Sequence, residues 1–133
     1  MSRSFADTSF FVAFLNSRDL DHATAVDLMA NYEGQMVTTD WVLAELGNFL
    51  TARASRKLFA PFVRDLPTDP RFEIVPASRD QFESGCALYD ARPDKDWSLT
   101  DCISMVVMNQ RTIREVLSAD HHFEQAGYTV LLK

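Results

Sequence analysis

Two periodicities alternate along the chain. Short apolar runs read as buried strands, and longer stretches with apolar residues three and four apart read as helices. Residues 4–6 (SFA) form the first short run, which stops at Asp7. Residues 8–16 (TSFFVAFLN) follow at once and are strongly apolar, so a helix is predicted after a tight turn near Asp7. In residues 22–32, Ala25, Leu28, Met29 and Tyr32 recur at i, i+3, i+4 and i+7, which marks an amphipathic helix; Gly34 reads as its stop. Residues 35–39 are the second strand. Asp40 is placed as the cap of a helix over 41–54, with another helix over 57–66 and a turn at 67–71. Phe72–Val75 is the third strand. Ser78-x-x-Gln81 is a capping box opening a helix to about residue 91. Residues 91–97 are polar and contain Pro93, which predicts a surface loop. Ser98-x-x-Asp101 is a weaker form of the same box and opens a helix to about residue 111. Residues 115–119 are the fourth strand, stopping at Asp120; His121–Gln125 is a short helical turn, and 128–132 the last strand.

Strands and helices thus alternate with few hairpin signals. The pattern predicts an α/β fold in three layers, with a mostly parallel central sheet and helices on both faces. In such sheets ligands bind outside the carboxyl ends of the strands, where the strand order reverses. A length of 133 residues with 47% hydrophobic composition suits a single domain over residues 1–133. Scaling predicts a folded surface of roughly 7,000 Å² against about 22,000 Å² unfolded. There is no internal repeat, no window of ~18 apolar residues that would suggest a membrane span, and no basic-then-apolar leader at residues 1–10. The two cysteines, Cys86 and Cys102, are too few for a disulfide framework and fit no zinc spacing; they read as core residues of a reducing, cytoplasmic setting.

Charge sharpens the picture. Thirteen basic against nineteen acidic residues leave a net charge of −6, which excludes a general polyanion binder. Yet Asp7 and Asp120 each end a strand, Asp101 opens a helix, and Glu45 lies early in the helix after the second strand. Asp7, Asp120 and the start of the helix bearing Glu45 fall at the carboxyl edge, and the four carboxylates, from distant segments, can converge on one site. Singly, each has an ordinary explanation: a turn former, a residue favoured by the helix dipole, a solvated side chain. Glu45 is the most telling, because Val42, Leu43, Leu46, Phe49 and Leu50 around it are apolar and a charge there wants a partner. Four converging carboxylates repel one another and raise each other's pKa values unless hard cations sit among them. An oxygen-only donor set selects Mg²⁺ or Mn²⁺ over zinc, and such ions suit phosphodiester hydrolysis by an activated water.

These residues carry a family resemblance. Asp7-Thr8-Ser9, Glu45 within WVLAELGNFL, Ser98-Leu99-Thr100-Asp101 within DWSLTDCIS, and Ser118-Ala119-Asp120 followed by Phe123 resemble, in order and spacing, the PIN-domain proteins, and among them the VapC-type toxins of bacterial toxin–antitoxin pairs. The resemblance covers essentially the whole chain. It implies a parallel sheet, an acidic quartet of metal ligands and a metal-dependent endoribonuclease. Carried over position by position, it makes Asp7, Glu45, Asp101 and Asp120 the catalytic and metal-binding acids. It makes Ser9, Ser98 and Ser118 their supporting hydroxyls. It further implies an RNA substrate, a cognate antitoxin and a homodimer.

Other positions are open to two readings. Asn48, one turn after Glu45, either supports the acids or lies at the surface. Asp96 either reaches the site or belongs to a solvated loop. Arg53, Arg56 and Lys57, followed by Arg64, are either a solvated helical face or contacts to an RNA backbone. The apolar residues 41–50 and Phe10, Phe11 and Phe14 read mainly as core, with part available to a dimer or antitoxin contact. Asp120-His121-His122 matches the DHH signature of another phosphoesterase family only as a tripeptide, and its histidines read as exposed polar residues. Two other functions compete with the nuclease. A catalytically silent binding module is disfavoured because no acidic position is replaced. A magnesium-dependent phosphatase or receiver lacks its second Asp, since Ser9 stands there, and its late Lys, since only Lys133 remains.

Overall fold

The computed structural model describes residues 2–133. Its strands are β1 (Ser2–Ala6), β2 (Gly34–Thr39), β3 (Phe72–Val75), β4 (Glu115–Leu117) and β5 (Thr129–Val130). Its helices are α1 (Thr8–Leu15), α2 (His22–Asn31), α3 (Asp40–Phe49), α4 (Arg53–Asp65), α5 (Arg79–Ala91), α6 (Leu99–Gln110) and α7 (His121–Gln125), with a 3₁₀ turn at Leu66–Thr68. The strands form one sheet in the order β3-β2-β1-β4-β5, and every pairing is parallel. The α/β class and the parallel sheet are as the sequence pattern predicts.

Neighbouring residues of a strand point to opposite faces, so consecutive buried residues mean that both faces are covered. Phe5 and Ala6 in β1 and Met36 to Thr39 in β2 are all buried. The core joins Phe5, Phe10, Phe11, Met36, Leu46, Met108, Leu117 and Phe123. The exposed surface is 7455 Å², close to the expectation for this length. Phe10 and Phe11 are wholly buried, and Phe14 packs against Phe62, so this cluster is spent on the core.

β1 is the hinge of the topology. The chain builds β2 and β3 on one side of it and β4 and β5 on the other. The reversal of strand order therefore falls between β1 and β4, and the residues leaving those two strands, Asp7 and Ser118 to Asp120, sit at the switch point.

Several boundaries differ from the sequence expectation. Thr39, not Asp40, caps α3: its hydroxyl accepts from the Val42 amide at 3.2 Å, and Asp40 is the first helical residue. Asp40 instead accepts from the Ala77 amide at 2.9 Å. α3 stops at Phe49 and not near residue 54: the backbone of Leu50, its buried C-cap, leaves the helical conformation, and α4 begins early, at Arg53. Gly34 is not a helix stop but opens β2 opposite Ser2, where a side chain would collide with the Ser2 carbonyl. β4 and β5 are shorter than read, which frees Ser118 to Asp120 from the sheet. Cys102 is buried and Cys86 half-buried, both as free thiols.

Gly85 sets the approach of α5 to α6. A Cβ built there falls 2.3 Å from Ile103 Cγ1 and 3.3 Å from the Ile103 backbone. The β-branched Ile103 has little freedom to move aside. Gly85→Ala gains about 1 kcal/mol of helix propensity but incurs about 1–3 kcal/mol of overpacking. The expected result is no gain or a net loss of up to about 2 kcal/mol in urea unfolding, whereas propensity alone predicts a gain.

Candidate active site

The four carboxylates named from the sequence line one hollow at the switch point, together with Thr8, Ser9, Val12, Asp19, Asp21, Phe49 and Ala119. Its volume is about 180 Å³. Six of the lining side chains are carboxylates and none is Lys or Arg.

Asp7 comes to the hollow because β1 ends under it. Its extended backbone begins α1, and its carbonyl accepts from the Phe10 amide at 3.1 Å. The side chain is only 3% exposed. The Ser118 hydroxyl donates to Asp7 Oδ2 at 3.0 Å, and Ser9 Oγ donates to the same oxygen at 3.2 Å. The two hydroxyls lie 2.9 Å apart, and Ser118 Oγ also accepts from the Asp120 amide at 3.0 Å. All this bonding falls on Oδ2. Oδ1 is buried and has no hydrogen-bond partner among the described residues. An orphaned buried carboxylate oxygen is costly. Burial pushes the Asp7 carboxyl up to about 7; the Asp101 charge is the next cause and Glu45 a smaller one, while the Thr8 amide and Ser118 hydroxyl pull the other way.

Asp101 is held by the start of α6. Ser98 Oγ accepts from the Asp101 amide at 3.0 Å, and Asp101 Oδ2 accepts in return from the Ser98 amide at 3.1 Å. Burial raises its pKa and the Asp120 charge adds to this, while the Ser98 amide and His122 oppose it. Asp120 caps α7 by accepting from the His122 amide at 2.9 Å. Glu45 is half-buried on α3 and faces the hollow.

Sequence reading missed several residues here. His122 is not an exposed polar residue: its side chain is 20% exposed, and its Nδ1 lies 3.0 Å from Asp101 Oδ2 and 3.3 Å from Asp120 Oδ1. It braces the two acids against each other. The hint in the sequence was its place two residues after a capping Asp. Asp19 and Asp21 reach the rim from the loop before α2, where no motif marked them. Two supporting residues lie elsewhere. Asn48 is exposed and outside the lining, because Phe49, four residues after Glu45, occupies the helix face that turns to the hollow. Asp96 is exposed in a separate groove with Trp97, Ser98 and Leu99, on the loop that also carries the exposed Arg92–Asp94 pair. Arg53, Arg56 and Lys57 are exposed on the first turns of α4, outside the lining.

A parallel sheet carrying an acidic hollow at its strand-order reversal places the chain among the α/β domains with a switch-point site. The chain belongs to the PIN domain family, whose sequence profile matches residues 4–127. It is 31% identical over 125 residues to the 23S rRNA-specific endonuclease VapC20 of Mycobacterium tuberculosis, covering 93% of this chain and 94% of that protein. The crystal structure of M. tuberculosis VapC20, described as a Sarcin-Ricin loop cleaving toxin, superposes with a TM-score of 0.87 at 25% identity, over 98% of both chains. VapBC2 of Rickettsia felis, bound to a promoter DNA fragment, shares the fold at TM-score 0.67 and 14% identity, over 97% of both chains. FitAcB of Neisseria gonorrhoeae does so at 0.66 and 16%, over 96% of this chain and 95% of that one.

Because folding raises the Asp7 pKa, the folded chain keeps a proton that the unfolded chain releases near pH 4. The metal-free protein should therefore lose stability as pH rises through the window from about 4 to about 7. Asp7→Asn removes that charge, and should stabilise the metal-free protein by up to about 4 kcal/mol at pH 8 with little effect near pH 4. Urea unfolding in EDTA at both pH values checks this. His122→Ala should cost about 1–3 kcal/mol by leaving Asp101 short of a donor, whereas Asp96→Ala should stay within about 0.5 kcal/mol of wild type.

Proposed function

We propose that this chain is a divalent-cation-dependent endoribonuclease and the toxin of a toxin–antitoxin pair. The observation that carries the reading is the buried, unpartnered Oδ1 of Asp7, set among Asp101 and Glu45 in a hollow without a single Lys or Arg. A cation is the missing partner such a group calls for. The donor set is rich in carboxylate oxygen, which suits Mg²⁺ or Mn²⁺. Asp7, Glu45, Asp101 and Asp120 would hold the ion. When bound, it supplies charge neutralisation for a phosphodiester and lowers the pKa of water.

The chain's own residues prepare that chemistry. Ser9 and Ser118 tie down Oδ2 of Asp7 and leave Oδ1 free to bind. The Ser98 amide and His122 tie down Oδ2 of Asp101. Such bracing fixes ligand orientation before the ion arrives. Arg53, Arg56 and Lys57 offer charge for an RNA backbone, which supplies salt-dependent affinity without sequence preference.

The similarity to VapC20 supports RNA as the substrate and a structured ribosomal RNA loop as its form. Since that relative is described as a toxin, a cognate antitoxin, a homodimeric state and a cytoplasmic setting belong to the same reading. The silent-module alternative is disfavoured because all four acids are present and share one hollow.

The test uses purified protein and defined RNAs with Mn²⁺ or EDTA. The wild type should cleave only with metal, and Asp7→Asn should lose at least about 100-fold while remaining folded. Metal at about 100 times its Kd should stabilise the wild type by about 2.7 kcal/mol and leave Asp7→Asn nearly unchanged. Full activity in Asp7→Asn, or in EDTA, overturns the reading.

A further inference from the structure

The hollow at about 180 Å³ lies below the usual size of a small-molecule pocket, roughly 300–1,000 Å³. It has room for a phosphodiester group and its ions. A nucleobase attached to that group must lie outside, on the rim. The rim carries one exposed aromatic ring. Phe49 is 65% exposed, although Phe5, Phe10, Phe11 and Phe123 are wholly buried. Glu45 and Phe49 are four residues apart on α3, so they stand side by side on one helix face.

Beyond Phe49 the chemistry changes sign. Residues 46–64 contain Arg53, Arg56, Lys57 and Arg64 and no Asp or Glu, in a chain with nineteen acids. Arg53, Arg56 and Lys57 form no salt bridge among the described residues. These residues sit on α4, which packs against α3. The Phe59 ring of α4 sits over Gly47, where an added Cβ would come within 3.1 Å of it, so the two helices are held in close contact. Along α3 and into α4 the chain therefore offers a carboxylate that lines the hollow, an exposed apolar ring, then positive charge that no carboxylate neutralises among the described residues. A polynucleotide presents the matching order of phosphate, base and phosphate.

We propose that Phe49 is the stacking platform for an unpaired nucleobase beside the scissile phosphodiester. The inference rests on the ribonuclease reading above and narrows its substrate to RNA whose bases are exposed. In a duplex both faces of a base are covered, while in a loop one is free to stack on an aromatic side chain. Such a stack is sequence-tolerant, because every base has a π-face.

The experiment takes an RNA stem–loop that the wild type cleaves in Mn²⁺ and removes one loop base at a time. At one abasic position the wild type should lose about 5- to 100-fold in kcat/KM. Phe49→Ala should lose the same factor on intact RNA, and should show no further loss at that position. Phe49→Trp should retain cleavage. Thermal unfolding of Phe49→Ala should match wild type, since the ring supports no core contact. Wild-type kcat/KM for Phe49→Ala on intact RNA overturns the proposal, as does an undiminished abasic penalty in that variant. Normal cleavage by Phe49→Ala together with loss of binding to a protein partner assigns the ring to that partner and also overturns it. A second readout separates this inference from the function beneath it. Fluorescence of a 2-aminopurine-labelled loop RNA should be quenched by wild type and not by Phe49→Ala, whether or not the RNA is cut. If no RNA is cleaved, the nuclease reading fails; equal quenching by both proteins removes the platform.

Discussion

Like charges forced together out of water dominate this structure. Asp7 and Asp101 are both buried; the Asp101 charge raises the cost of ionising Asp7, and the Asp120 charge raises that of Asp101. Among the described residues no Lys or Arg lines the hollow to relieve them. A fold that keeps such an arrangement must restrain the carboxylates firmly, or they would rotate into solvent. The restraint comes from paired hydrogen bonds to one oxygen of each acid. Ser9 and Ser118 hold Asp7, and the Ser98 amide and His122 hold Asp101.

The topology makes those restraints possible. Only at the reversal between β1 and β4 do two adjacent parallel strands release their chains in opposite directions around the sheet. The Asp7 amide bonds the Leu117 carbonyl at 3.2 Å, so the two exits are locked in register one residue before the serine that binds Asp7. The site is thus an outgrowth of strand pairing. Its geometry depends on the core beneath it, where Phe5, Leu117 and Phe123 pack together.

Much of this was legible in the sequence, for physical reasons. The parallel sheet shows itself because strands buried on both faces are continuous apolar runs separated by helix-period segments. Ser78 and Ser98 show themselves because a hydroxyl three residues before a side-chain acceptor satisfies two helix-end amides at once. Asp7 and Asp120 stand out because they end strands. What stayed hidden depended on rotation and long-range contact. Whether Thr39 or Asp40 caps α3 turns on one backbone angle pair, and both residue types are good caps. Asn48 and Phe49 differ by one helical step, and periodicity alone did not say which one faces the acids. Asp19 and Asp21 approach from an irregular loop, and His122 turns inward only because Asp120 begins α7 there.

The Ser98–Asp101 box has a bearing on how related chains decay. Asp101 serves two masters: it fastens the first turn of α6, and it lines the hollow. Asp7 serves one, at a standing energetic loss. A lineage released from selection on catalysis would shed Asp7 readily and retain Asp101 for the sake of its helix. Among divergent members, an intact Asp101 is therefore poor testimony to living chemistry, and the residue after the first strand is the one to consult.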